Sequence, residues 1–219
     1  MVSRQIIFWV VDTQADFMLP GGKLYVPRAE TLLPNLERLT NEARAGRVFL
    51  MSDACVHAPN DAEFQRFPPH CVHGTPGAAI LPQTMATKFY VVPNRAKAKL
   101  PEDFSKVQQV ILEKQTLDVF DNPHTTTVLE RLKRFTDKDA KFVVFGVVTE
   151  YCVRLVAKGL LERGRRVALV EDAIATLDAP EGRKAIAELR GMGAALTDTD
   201  QALAWVEASL LSAGKRRGA

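Results

Sequence analysis

Three side chains, far apart along the chain, have the types that an activated thiol needs. Asp12 ends the apolar run IIFWVV at residues 6–11, Lys114 follows the apolar stretch 107–112, and Cys152 follows the apolar run FVVF at 142–145. They offer a base, a cation and a nucleophile, the set used in nucleophilic catalysis by cysteine. Each has a plainer alternative. Asp12 could cap a helix or turn, and Cys152 could be a small buried hydrophobe, as most free cysteines are. The case for chemistry is that all three fall at the ends of strands.

A second concentration of reactive residues lies in 53–88. This stretch is rich in Pro and Gly, lacks clear periodicity, and holds Asp53, Cys55, His57, Asp61, His70, Cys71 and His73. Long irregular segments inside a compact domain are functional or disordered, and clustered metal-type ligands favour function here. The segment FPPHCVHGTPG at 67–77 reads as a stiff loop that holds side chains in place.

The elements that must position these residues follow from hydrophobic patterning. Residues 6–11 are continuously apolar, as in a strand buried on both faces. Residues 30–45 carry Leu32, Leu33, Leu36, Leu39 and Ala43 at helical spacing, stopped by Gly46. Strands are expected at 47–51, 107–112, 142–145, 166–170 and 194–197, with a short extra one at 89–92. Helices are expected at 126–135, from about Cys152 to 163, at 181–192 and at 199–211. Cys152 then sits in the first turn of its helix, where the helix dipole favours a thiolate. The alternation predicts an α/β, three-layer, doubly wound domain spanning residues 1–219. A mostly parallel sheet is covered by helices on both faces, with right-handed crossovers. All strand ends then point one way, so Asp12, Lys114 and Cys152 can share one crevice.

Composition narrows the class further. The chain has 219 residues, with 29 Lys and Arg against 26 Asp and Glu, for a formal net charge of +3. That balance gives no nucleic-acid footprint. The compact basic cluster Lys215, Arg216, Arg217 reads as a solvated tail. The run at 6–11 is too short for a signal-peptide core or a membrane span. Three cysteines without tight spacing argue against a disulfide framework, so a reducing cytoplasm is expected, with no membrane partner. No G-x-G-x-x-G follows the first strand, so no nucleotide cofactor is expected. P-loop, G-x-S-x-G, H-E-x-x-H and C-x-x-C motifs are also missing.

Six stretches, in order, resemble the isochorismatase-like cysteine hydrolase superfamily, especially its nicotinamidase branch. They are VVDTQADF (10–17), SD (52–53), FPPHCVHGTPGA (67–78), EKQTLDVF (113–120), GVVTEYCVR (146–154) and VEDAIA (170–175). The resemblance implies a six-stranded parallel sheet of order 3-2-1-4-5-6 and a catalytic triad of Asp12, Lys114 and Cys152. It implies a cis peptide between Val147 and Val148, with an oxyanion hole from the Val148 and Cys152 N–H groups. Phe17 and Phe67 match positions that flank a flat aromatic substrate, though each could equally be a core aromatic. The implied activity is hydrolysis of a small primary amide to acid and ammonia through a thioester, and homo-oligomers are common in the family. Nicotinamidases also hold a divalent metal, through an Asp-x-His-x5-His run and the histidine of the P-P-H-C segment. Asp53 and His70 match, Cys55 and Asp61 stand where the two other histidines belong, and His57 is a further candidate close by. Thiolate ligation favours zinc. Loss of the metal site is the alternative, and these substitutions leave nicotinamide itself open as the substrate. Two other readings are an isochorismatase-type hydrolase of another small molecule and a non-catalytic binding protein on the same scaffold.

Overall fold

The computed structural model describes residues 4–215. It has seven strands and six α-helices among the described residues: β1 (Arg4–Val11), α1 (Ala15–Met18), α2 (Leu33–Arg44), β2 (Phe49–Cys55), β3 (Phe89–Val92), β4 (Gln109–Lys114), α3 (Thr125–Leu132), β5 (Thr136–Val147), α4 (Arg154–Glu162), β6 (Arg166–Ala175), α5 (Ala179–Gly191), β7 (Ala195–Thr197) and α6 (Thr199–Lys215). Arg216 and Arg217 of the basic cluster lie outside the described residues.

All strand pairs are parallel, in the order β3-β4-β2-β1-β5-β6-β7. This corrects the expected six-stranded sheet of order 3-2-1-4-5-6. The seventh strand is Phe89–Val92, which extends the sheet by pairing at the edge, Phe89 opposite Gln109 and Val92 opposite Leu112. It is short, and only Val92 is fully buried, which is why its pattern is weak.

Alternate residues of the central strands feed two cores. Ile7, Trp9 and Val11 join Phe49, Met51, Val110, Leu112, Phe142 and Val144 under α3, α4 and Leu189 of α5. Ile6, Phe8 and Val10 join Leu50, Val143 and Phe145 under Leu36, Leu39 and Ala43 of α2 and Ala202 and Val206 of α6. A sheet buried on both faces needs apolar residues at both parities, which is why β1 reads as a continuous run.

Two local features set the site. Gly146 adopts φ +116°, and a Cβ there would collide with the Val11 carbonyl, so β5 can lie against the end of β1 only with glycine at this point. Asp12 adopts φ 45°, in the left-handed region that Asp tolerates better than most residues. The chain therefore turns sharply off β1 at the carboxylate.

Candidate active site

Asp12, Lys114 and Cys152 meet beyond the C-terminal ends of β1, β4 and β5. Lys114 Nζ lies 2.8 Å from Asp12 Oδ2, 3.4 Å from Cys152 Sγ and 3.0 Å from Cys55 Sγ. The ammonium thus donates to both sulfurs and forms a close ion pair with Asp12. Cys55 in turn approaches Asp12 Oδ1 at 3.6 Å. Lys114 is wholly buried, and Asp12 is 1 % exposed. Burial works against the ammonium, but the Asp12 carboxylate first, and Cys152, Cys55 and Asp53 wherever they are ionised, outweigh it and hold its pKa well above the usual lysine range.

Cys152 is not in the first turn of an α-helix. It lies in a π-helical turn, Thr149–Val153, that precedes α4. The Val147–Val148 peptide before that turn is cis. The expected depression of the thiol is also corrected. Burial, then the charge of Asp12, push Cys152 well above the ordinary thiol range, and Lys114 offsets this only in part.

The π-turn is fastened by a residue that sequence reasoning missed. Glu150 accepts from Thr176 Oγ1 at 2.6 Å, Leu177 N at 2.9 Å and Asp178 N at 2.8 Å. Gln14 is a second such residue. Its side-chain amide donates to the Cys55 carbonyl and accepts from the Cys55 N–H, both at 2.8 Å. Both residues are polar positions without periodicity, and their partners lie 26 or more residues away. No local signal could have found them.

Beside the triad, Cys55, His57 and His70 present ligand atoms within 4.8 Å of one another, all three residues buried. His70 Nδ1 lies 2.8 Å from the Pro68 carbonyl, a contact that needs the proton on Nδ1 and leaves a lone pair on Nε2. Neither ring nitrogen of buried His57 makes a hydrogen bond. A thiol, two imidazoles and orphaned buried nitrogens fit a divalent metal of the zinc type. Of the other expected ligands, Asp53 and Asp61 are not gathered into this group. Asp53 Oδ1 accepts from Trp9 Nε1 at 2.8 Å and its Oδ2 faces Lys114 at 4.0 Å. Asp61 Oδ2 stands 3.1 Å from His57 Nδ1, and its Oδ1 caps the 3-10 turn Ala62–Gln65 through Glu63 N. Asp53 and Cys55 share one face of β2, but Asp53 is taken up by Trp9 and Lys114, and Cys55, at the end of the strand, is the one beside the imidazoles. Glu63, which sequence reasoning passed over, brings Oε1 to 3.8 Å from His70 Nε2 and 4.0 Å from His57 Nε2.

A pocket over Cys152 is lined by Phe17, Phe67, Tyr151, Leu117, Leu177, Val148, Glu63 and His70, among others. Phe17 and Phe67 both flank His70, with ring centroids 5.2 and 6.3 Å from it. The structure thus brings both aromatic candidates to the thiol.

Residues 6–201 match the family model described as the isochorismatase domain. The chain belongs to the isochorismatase family. It is 31% identical over 172 residues to a streptothricin hydrolase from Streptomyces noursei, a match that covers 78% of this chain and 54% of that protein. The chain therefore spans about half the length of the curated relative it matches. Three solved structures share the isochorismatase fold. The pyrazinamidase of Pyrococcus horikoshii in complex with zinc has TM-score 0.69 and 24% identity, over 89% of this chain and 99% of that one. The nicotinamidase of Bacillus subtilis has TM-score 0.70 and 18% identity, over 89% and 99%. The N-carbamoylsarcosine amidase of Thermoplasma acidophilum has TM-score 0.69 and 21% identity, over 90% and 97%.

Proposed function

We propose that this isochorismatase-family protein is a cysteine-dependent, nicotinamidase-like amidohydrolase. It would cleave a small, planar primary amide to acid and ammonia. The observation that carries this reading is the buried Lys114 ammonium between the Asp12 carboxylate and the Cys152 sulfur. Names of relatives support hydrolysis of small molecules: a streptothricin hydrolase by sequence, and amidases by fold.

In the proposed reaction Asp12 takes the Cys152 proton, and Lys114 stabilises the thiolate. The sulfur attacks the amide carbonyl, and the Val148 and Cys152 N–H groups serve the oxyanion. Asp12 returns the proton to the departing ammonia. It then activates a water that cleaves the thioester and regenerates the thiol. Phe17 and Phe67 hold the flat face of the substrate. A divalent metal, with zinc favoured by the thiolate, would be held by Cys55, His57 and His70. When bound it would supply a Lewis-acid anchor for a lone pair on the substrate.

The test is ammonia release from a panel of small primary amides that includes nicotinamide. The protein should turn over at least one, and Cys152→Ala should lose turnover by at least about a hundredfold while remaining folded. A folded protein inert toward every amide contradicts the reading. Hydrolysis that survives Cys152→Ala points instead to isochorismatase-type chemistry without a thioester.

A further inference from the structure

Arg66 lies three residues after the glutamate that faces the imidazoles and directly before Phe67, a residue of the pocket wall. Its guanidinium sits over two rings at once, 5.0 Å from the Phe67 centroid and 5.4 Å from the Tyr151 centroid. Those rings meet edge to face, with centroids 5.5 Å apart, and both line the pocket that contains Cys152. Arg66 is exposed. Among the described residues its guanidinium makes no ion pair or side-chain hydrogen bond, whereas Arg38, Arg44, Arg47, Arg131 and Arg154 all pair with carboxylates.

A guanidinium stacked on aromatic faces keeps its edge N–H groups available, in a planar fork that matches a carboxylate. The two rings restrict its motion, so less side-chain entropy remains to be lost when an anion binds. Much of the remaining wall is apolar, with Phe17, Leu24, Leu117, Val148 and Leu177, and no Lys or Arg lines it among the described residues. Its one carboxylate, Glu63, turns toward His57 and His70. Arg66 does not itself line the pocket, but among the described residues it is the only cation stacked on the pocket's own rings, Phe67 and Tyr151.

We propose that Arg66 is a specificity-determining residue that selects amides bearing a carboxylate at the end away from the scissile bond. This inference rests on the amidohydrolase reading, and its test separates the two. Alkylation of Cys152 by 4-(bromoacetyl)benzoate and by 2-bromoacetophenone, which differ only in a carboxylate distal to the reacting carbon, is followed by mass of the Cys152 peptide in the wild type, Arg66→Gln and Arg66→Lys. In parallel, kcat/KM is measured for 4-carbamoylbenzoate and for benzamide. The charged-to-neutral alkylation rate ratio should fall about three- to fivefold in Arg66→Gln, the range for a partly exposed charge pair. The 4-carbamoylbenzoate-to-benzamide ratio should fall similarly, through KM, and Arg66→Lys should retain part of both. If amides are hydrolysed and either ratio is the same in Arg66→Gln as in the wild type, the inference is overturned and the amidohydrolase reading stands. If the alkylation ratio falls but no amide is hydrolysed, the anion-selecting mouth stands and the amide reading fails. A folded protein in which neither reagent reaches Cys152 and no amide turns over sinks both.

Discussion

Cys55, Cys71 and Cys152 are all pushed above the ordinary thiol range by burial and, after burial, by the charge of Asp12. The consequence for stability has a definite sign. Unfolding returns each thiol to a pKa of about 8.5. A group whose folded pKa is the higher contributes stability that is complete below its unfolded value and lost as the pH rises toward the folded value. Lys114, also raised, acts in the same sense from about pH 10.4 upward. The urea midpoint should hold steady from about pH 7 to 8 and then fall from about pH 8.5. Cys71→Ala, which lies outside the triad, should make that fall shallower. A midpoint that rises above pH 8.5 would contradict the assignment. At this scale Asp12, Lys114 and Cys152 were legible in the sequence because each follows a buried apolar run. Glu63 and Gln14 were not: Glu63 meets its imidazoles through an irregular segment with no period to read, and the partner of Gln14, Cys55, lies 41 residues away. Asp53 and Cys55 fall two apart on β2, and their types do not show that Asp53 stands against Trp9 and Lys114 while Cys55 stands with the two imidazoles.

The π-turn Thr149–Val153 and the loop at 176–178 behave as one unit because Glu150 joins them. Its carboxylate accepts two backbone N–H groups and one hydroxyl, a charge-assisted set that is stronger than neutral hydrogen bonds. Leu177 on that loop lines the pocket, as do Tyr151 and Cys152 on the turn. Glu150→Ala should lower unfolding stability by about 1.5–3 kcal/mol, the range for hydrogen bonds to a charged group. It should also raise KM more than it lowers kcat, because the reacting atoms stay while the wall loosens. Equal stability in urea titration, with unchanged KM, would show that the loop is held by other contacts. The elements themselves were largely readable. Long buried strands and amphipathic α2 follow from period alone, whereas β3 and the π-turn do not. β3 has only four residues, and two of them, Phe89 and Val91, are exposed. The π-turn is set by its backbone, which hydrophobic spacing does not encode.

The molecule as a whole brings together residues 12, 114 and 152 because a parallel sheet delivers every strand's C-terminal end to one rim. That placement is the part of the site most fully implied by fold class. β1 at the centre presents Asp12 between neighbours: β2 and then β4 on one side bring Cys55 and Lys114, and β5 on the other brings the turn with Cys152. The second cluster, Cys55, His57 and His70, sits against the triad because Cys55 belongs to both. Burying a lysine, a carboxylate and two thiols together is costly unless each charge is paired, and the sheet supplies that pairing from three strands at once. The central claim is that this assembly makes Cys152 the nucleophile of an acyl transfer. The most direct measurement is the mass of the protein quenched in acid during steady turnover of an amide, followed by peptide mapping. The account predicts an acyl adduct on Cys152 alone, absent in Asp12→Asn and in Cys152→Ala. Turnover at full rate with Cys152 unmodified, or with the acyl group on another residue, would contradict it.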